Sequence, residues 1–372
     1  MSDPAHEETE AIIKEIEAKL HELYSEAIEE IEAKLDDYMK RFYKKDATWK
    51  AWVEDVKDSD PEEYEKRLSE YQKWRTGQIA VGERWKEMKE TLAEDLANTN
   101  ESAKAIAAGR VPDVYALNHD YGTFQVEIGS GLDTNYTLYD RNVIARIMKD
   151  NPDILPAPGK KLAEDIAKGE AIRWNRQQIQ SVMMQALIQG ESIPQIATRL
   201  ANEVGDKNRN AAIRNARTMM TGAQNAGRVE SYRRAVDMGI DMKQQWLATH
   251  DMRTRHDHRL LDYQEVVVGE PFEIPSGKYA GDKIMYPGDP NAPGYLVYNC
   301  RCTLRGVVDG LEPQARKFRD LSDIGGDYEA WKNSKKKPES NPLTLPEEKG
   351  EAIRKTYIGK YRHMAASVGK KK

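Results

Sequence analysis

Both cysteines of the chain and three of its seven histidines lie between Trp246 and Arg305. Cys300-x-Cys302, with His258 upstream, offers the soft sulfur and imidazole ligands that zinc prefers. A structural zinc site wants four such groups, sometimes including an acid, and His250, His256 or Asp251 could complete the set. The usual C-x2-C spacing is absent. The competing reading makes both cysteines small buried apolar residues and the histidines hydrogen-bonded loop anchors. A hydrolytic reading also exists. His256-Asp257-His258, flanked by arginines and acids, could serve a metal-dependent nuclease or other hydrolase built on the His, Asp and Cys residues of 250–302. The segment lacks a full catalytic constellation, a Walker-type phosphate loop and a cysteine-nucleophile signature, so no enzyme is expected. Arg253, Arg255, Arg259, Arg301 and Arg305 lie among Asp251, Asp257 and Asp262. Guanidinium groups can tie carboxylates and carbonyls bidentately. The expectation is an internal ion-pair lattice, with a partner-binding patch as the rival.

Composition bounds what can position this segment. The chain has 372 residues, 32% of them charged and 39% apolar, with a formal net charge of -5. Its mean hydropathy is -0.79. Two or three domains and long solvated helices are expected. The negative charge opposes a dedicated DNA binder, although local basic patches could still touch phosphate. Two cysteines in one C-x-C make no disulfide framework, which points to a reducing compartment. The acidic first residues do not resemble a signal peptide, and no run approaches the roughly 18 apolar residues of a membrane span. Synthesis as a soluble cytoplasmic protein is expected.

The predicted fold class is mostly α with a small C-terminal α+β unit, in an extended multi-domain helical architecture. Residues 1–109 read as an N-terminal amphipathic helical region. Ile13, Ile16, Leu20, Leu23, Tyr24, Ile28, Ile31, Leu35, Tyr38 and Phe42 recur at helical spacing and form one stripe. So narrow a stripe on so charged a helix needs a partner helix, either residues 62–98 in a hairpin or another subunit. Residues 110–159 read as an irregular or β excursion and hinge, from their aromatic and β-branched residues and their Pro/Gly breaks, with a short helix over 140–148. Residues 160–240 read as a central helical region. Its last helix is rich in small residues, which predicts a close neighbour and central burial. Residues 241–310 read as a compact α+β core, with strands over 243–248 and 294–308. Residues 311–372 read as a polar C-terminal extension, with an amphipathic piece around Phe318, Leu321 and Ile324 and a helix near 357–365.

At these residues the chain resembles the Mu F-like head morphogenesis, or minor capsid, proteins of tailed bacteriophages. The resemblance rests on Trp246, Asp251-Met252-Arg253-Thr254-Arg255, His258, Leu261-Asp262, Phe272, Tyr286-Pro287-Gly288-Asp289-Pro290 and Asn299-Cys300-Arg301-Cys302. The helix from Ala216 to Arg228 fits as well. Tyr263 departs from the pattern, which usually has Gly there. The resemblance is tightest over about 210–308 and extends upstream from about 110. It implies a non-enzymatic structural protein, present in few copies, that docks at the portal vertex during procapsid assembly. In some phages such proteins accompany DNA at ejection. The implied partners are the portal protein, scaffold and major capsid proteins, and packaged double-stranded DNA, with no membrane partner. The implied location is the virion, at the capsid interior or portal vertex, after synthesis in the host cytoplasm. No cofactor is implied beyond the candidate zinc at His258, Cys300 and Cys302. Some members carry fused C-terminal toxin domains, but the short polar residues after 310 are not expected to form one.

Overall fold

Asp3 and Pro4 start the first helix. In the computed structural model, the Asp3 carboxylate accepts the His6 backbone N–H at 3.0 Å, and α1 runs over Pro4–Glu54. This is an N-cap followed by a proline whose missing N–H costs nothing at that position. Asp60 repeats the device, accepting from the N–H groups of Glu62 and Glu63 at 3.2 and 3.1 Å, and α2 spans Pro61–Ala80. The structure describes residues 3–80, 83–134, 136–150, 168–189, 191, 193–308 and 327–335.

The remaining helices of the first part are α3 (Glu83–Ala108), α4 (Val111–Ser130), α5 (Arg141–Asp150), α6 (Lys168–Gln189) and α7 (Ile193–Leu200). A widened π turn, Ala201–Gly205, leads into the long α8 (Asp206–Asp237). The α1 stripe is buried within the chain. Its first half, Ile13, Ile16, Leu20 and Tyr24, packs with Val114 and Tyr115 of α4 and Met220 and Ala223 of α8. Its second half, Ile31, Leu35, Met39 and Phe42, packs with Leu92 and Leu96 of α3 and Val182 and Met183 of α6. The second half of the seam thus pairs with residues 62–98, as expected, and Trp74 of α2 stacks on Phe42, while further helices cover the rest of the stripe.

The excursion expected over 110–159 is corrected. Residues 111–130 are helical, and the short helix expected over 140–148 is present at 141–150. Val114, Tyr115, Ala116, Tyr121, Phe124 and Val126 are all buried, so α4 is covered on most sides and shows no apolar stripe. Tertiary packing overrides its weak helix propensity. The helix α4 lies along α8. A Cβ on Gly227 would stand 2.5 Å from the Tyr115 carbonyl oxygen, and one on Gly122 would stand 2.0 Å from Ser231 Oγ. The two helices approach this closely because both positions lack a side chain.

The α+β unit follows. It contains β1 (Met242–Leu247), α9 (His256–Leu261), β2 (Glu265–Val267), β3 (Phe272–Glu273), β4 (Lys283–Ile284), α10 (Gly294–Val297) and β5 (Thr303–Val308). The expected second strand over 294–308 is thus a short helix, a turn and then a strand. β1 is central, antiparallel to both β2 and β5, with Trp246 opposite Leu304 and Gln245 opposite Glu265. β3 and β4 form a separate two-stranded ladder. The core of this unit, with Trp246, Leu261, Phe272, Ile284, Leu296 and Leu304, is continuous with Val126 of α4 and with Val229 and Tyr232 of α8.

The described residues within 1–328 form one compact unit. A second unit covers 329–372, of which the structure describes 329–335, within α11 (Tyr328–Lys335). The piece around Phe318, the helix near 357–365 and the Pro/Gly breaks after 151 lie outside the described residues. No described helix is long and apolar enough to cross a membrane.

Candidate functional site

The polar face of α8 positions the site. Thr218, Thr221, Asn225 and Arg228 recur at spacings of three and four and therefore share one face. Each binds the chain around the second cysteine. Thr218 Oγ1 accepts the Asn299 N–H at 3.0 Å, and Thr221 Oγ1 donates to the Cys300 carbonyl at 2.7 Å. Asn225 Nδ2 donates to the carbonyls of Pro287 (3.0 Å) and Cys302 (3.3 Å), and Gln224 Nε2 donates to Thr303 Oγ1 at 2.7 Å. Arg228, fully buried, reaches the Leu304 carbonyl (2.8 Å), Asn118 Oδ1 (3.0 Å) and both Asp3 oxygens (2.6 and 2.8 Å). Burial works against both charges of the Asp3–Arg228 pair, yet their mutual attraction outweighs it: the Asp3 carboxyl is held below its ordinary range and Arg228 above its own.

None of these α8 side chains was singled out in the sequence as a functional residue. The signal was present, however. A run of polar residues at helical spacing, inside a helix whose small residues already argue for burial, implies a partner that presents backbone groups.

The expected arginine lattice exists in part. Arg301 holds Asp251 through two parallel N–H···O bonds, one of them 2.8 Å. Asp251 Oδ1 also accepts from the Arg253 N–H (2.9 Å) and from Thr254 Oγ1 (3.1 Å). The Arg301 hydrogen bonds hold the Asp251 carboxyl far below the usual carboxylate range. Arg255 donates to the Tyr298 carbonyl, and Thr249 Oγ1 donates to the Arg301 carbonyl at 2.7 Å. Asp262 Oδ1 accepts the Ala248 N–H at 2.8 Å, and Asp262 Oδ2 lies 3.1 Å from His250 Nε2. Buried Asp289 accepts from the N–H groups of Met285 (3.2 Å) and Asn291 (2.9 Å). Gly288 has φ +81, and a Cβ there would stand 2.6 Å from the Gly222 nitrogen, so this turn seats directly on α8. Asn299 and Tyr263 hold φ of +55 and +62. Asparagine tolerates that region, and the Tyr263 departure falls on a position where glycine would be unstrained.

These ties leave a projecting loop. Met252 is 95% exposed at its tip, and the Arg253, His250 and His256 side chains are also exposed. His256 and His258, the two histidines offered for hydrolysis, do not converge. His256 points to solvent beside Asp257, whereas His258 turns into the core.

There His258 meets the cysteines. Its Nε2 lies 2.9 Å from the Leu296 carbonyl, to which it can only donate. That leaves Nδ1 with a lone pair, 3.5 Å from Cys300 Sγ and 3.4 Å from Cys302 Sγ. The Trp246 ring stands edge-on to the imidazole at 5.3 Å. All three residues are buried and both thiols are free. The Cys302 backbone N–H donates to Cys300 Sγ at 3.4 Å, and the Thr249 N–H donates to Cys302 Sγ. Burial pushes the Cys300 thiol up, while its hydrogen bond to Cys302, aided by His258, pulls Cys302 down. The structure thus brings together the three expected ligands, and their ligating atoms all lie within 4.8 Å of one another. The suggested fourth ligands are corrected. His250 and His256 face solvent, and Asp251 is committed to Arg301.

Comparison with known proteins places this geometry. Residues 177–305 match the family model described as Phage Mu protein F like protein. The chain is 29% identical over 264 residues to a protein named NAD(+)--arginine ADP-ribosyltransferase EFV from Enterococcus faecalis, covering 67% of this chain and 52% of that one. It is 28% identical over 236 residues to the minor head protein GP7 of Bacillus phage SPP1, covering 60% of this chain and 69% of that one. The chain therefore spans about half the length of the first relative and about two thirds of the second. No solved structure matches. The matched segment runs from α6 to β5 and contains the α8 face, the locked loop and the thiol–imidazole group, and over these residues the chain is similar to the Mu F-like family of phage proteins.

Proposed function

We propose that this protein is a minor component of a phage head, entering the procapsid by docking at the portal vertex and accompanying the DNA at ejection. The observation that carries the docking reading is the loop 249–255. Its polar side chains are tied to the chain around Arg301 and Tyr298, while Met252 and Arg253 project from it. A loop held in one conformation loses little freedom on binding, and an exposed methionine adapts to an apolar pocket. The family match over residues 177–305 and the relative named as a minor head protein support the head role. Scaffold and major capsid proteins are the expected neighbours during assembly.

The test is co-expression with the portal, scaffold and major capsid proteins of the same phage. The wild-type chain co-purifies with procapsids, and a Met252→Asp/Arg253→Glu variant folds but stays out. Normal incorporation of the variant removes the loop as the docking surface. Absence of the wild-type chain from procapsids removes the head role altogether.

The relative named as an ADP-ribosyltransferase motivates a second reading, an arginine-modifying enzyme. The chain spans only half of that relative, so the two can share a head-protein segment without sharing its activity. Purified protein given NAD and an arginine-rich acceptor is expected to transfer nothing. Turnover of NAD would favour the enzyme.

A further inference from the structure

We propose that His258, Cys300 and Cys302 hold a zinc ion inside the α+β unit, a loop-rich knob over residues 242–308, clamping α9 to the turn that leads into β5. This inference is independent of the docking reading. Four observations carry it. The first is distance: a tetrahedral ion with bonds of about 2.3 Å to sulfur and about 2.0–2.1 Å to nitrogen sets those two atoms about 3.6 Å apart. Nδ1 stands 3.5 and 3.4 Å from the two sulfurs, so the three atoms already lie near the corners of such a site. The second is orientation. The contact from His258 Nε2 to the Leu296 carbonyl fixes the ring so that the Nδ1 lone pair faces the thiols. That outer hydrogen bond is what metal-bound histidines ordinarily make.

The third is support for thiolate. Each sulfur receives a backbone N–H, from Cys302 onto Cys300 and from Thr249 onto Cys302. The fourth is charge. Two thiolates and a neutral imidazole around a divalent zinc ion sum to zero, which a buried site tolerates where an isolated ion would not. On binding, two metal–sulfur bonds and one metal–nitrogen bond form, and the two thiol protons leave to solvent. Sulfur and imidazole together select zinc over magnesium or calcium, which take oxygen. Among the described residues no fourth His, Cys, Asp or Glu joins the group. A water or another small ligand completes the coordination. The knob gains from the clamp because its strands are short and its loops long.

The experiment uses the full-length chain, expressed in zinc-supplemented medium and purified without chelator and with any tag removed. Elemental analysis finds one zinc per chain. A strong chelator releases it, exposes both thiols to a thiol reagent and lowers the melting temperature, as expected when an ion bound only to the folded state is withdrawn. Cobalt replaces zinc and gives the thiolate charge-transfer and intense visible bands of a tetrahedral sulfur site. Cys302→Ser loses the ion. Because that variant could fail to fold, the cobalt spectrum of the wild-type chain stands as the separate criterion. A folded wild-type chain that carries no zinc, gives no cobalt spectrum and shows thiol reactivity indifferent to chelator overturns the proposal.

Discussion

The helical layers and the knob are held together in opposite ways. In the layers, α1 meets α3, α4, α6 and α8 through stripes of aliphatic and aromatic side chains, and each contact resembles its neighbours. In the knob, much of the holding is polar and each tie is unlike the next. Arg301 grips Asp251, Asn225 bridges two carbonyls, Asp289 organises its own turn, and Arg228 joins β5 to the start of α1. Burial of apolar surface is non-directional, so a stripe tolerates exchange of one aliphatic residue for another. A hydrogen bond between fixed partners is directional, and loss of one partner leaves the other unsatisfied. The difference teaches where identity matters. Volume governs the helices, whereas atom placement governs the knob.

The sharpest way to break the comparison is at Arg228, where the two regions meet. Arg228→Ala leaves Asp3, the Leu304 carbonyl and Asn118 without their partner. We expect a loss of about 3–5 kcal/mol in urea unfolding. A loss under about 1 kcal/mol would deny that a polar tie joins the two regions. At Leu35, fully buried in the α1 seam, truncation to Ala is expected to cost about 2–5 kcal/mol, but Leu35→Met under about 1.5 kcal/mol. Equal losses from both substitutions would show that shape, not volume, governs the helices as well.

Asp251 sharpens the contrast through pH. Its carboxyl titrates far below the ordinary carboxylate value because Arg301 holds the ionised form. The unfolded chain therefore binds the proton first. The tie contributes stability above the ordinary value, about 3.9, and loses it progressively as pH falls from there toward the lower folded value. Asp251→Asn is expected to flatten the dependence of melting temperature on pH in that acid window. Parallel curves for the two proteins would remove the tie from the stability of the loop. The smallest effect is at Tyr263, whose φ of +62 is costly for a side-chain-bearing residue. Tyr263→Gly relieves that cost but frees the unfolded chain, so a net gain of about 1 kcal/mol or less is expected in the same unfolding assay.

Much of the fold was readable in advance where a pattern is periodic or a local motif is self-contained. The α1 stripe and the strand expected over 243–248, found at 242–247, are of this kind. The helix over 111–130 was not readable. Burial on most sides removes the stripe by which a helix is recognised, and its aromatic and β-branched residues look like strand. At the site, the soft ligand types pointed to His258, Cys300 and Cys302 despite their unusual spacing. The roles of His250 and His256 were not readable, because residue type says nothing of which way a side chain turns. The α8 polar face was visible only as composition, since most of its partners lie some sixty to eighty residues further along the chain and are backbone carbonyls common to every residue.

By itself, then, the sequence determined which segments are helical by period, where their ends are capped, and which stretch concentrates reactive and turn-forming residues. These are local properties, set by neighbours within a few positions. The tertiary structure alone decided that α1 finds its partners in several layers, that Arg301 grips Asp251, and that the His258 ring turns its Nδ1 toward two sulfurs. Those outcomes depend on groups brought together across long stretches of chain. Their directions follow from packing that no local pattern contains.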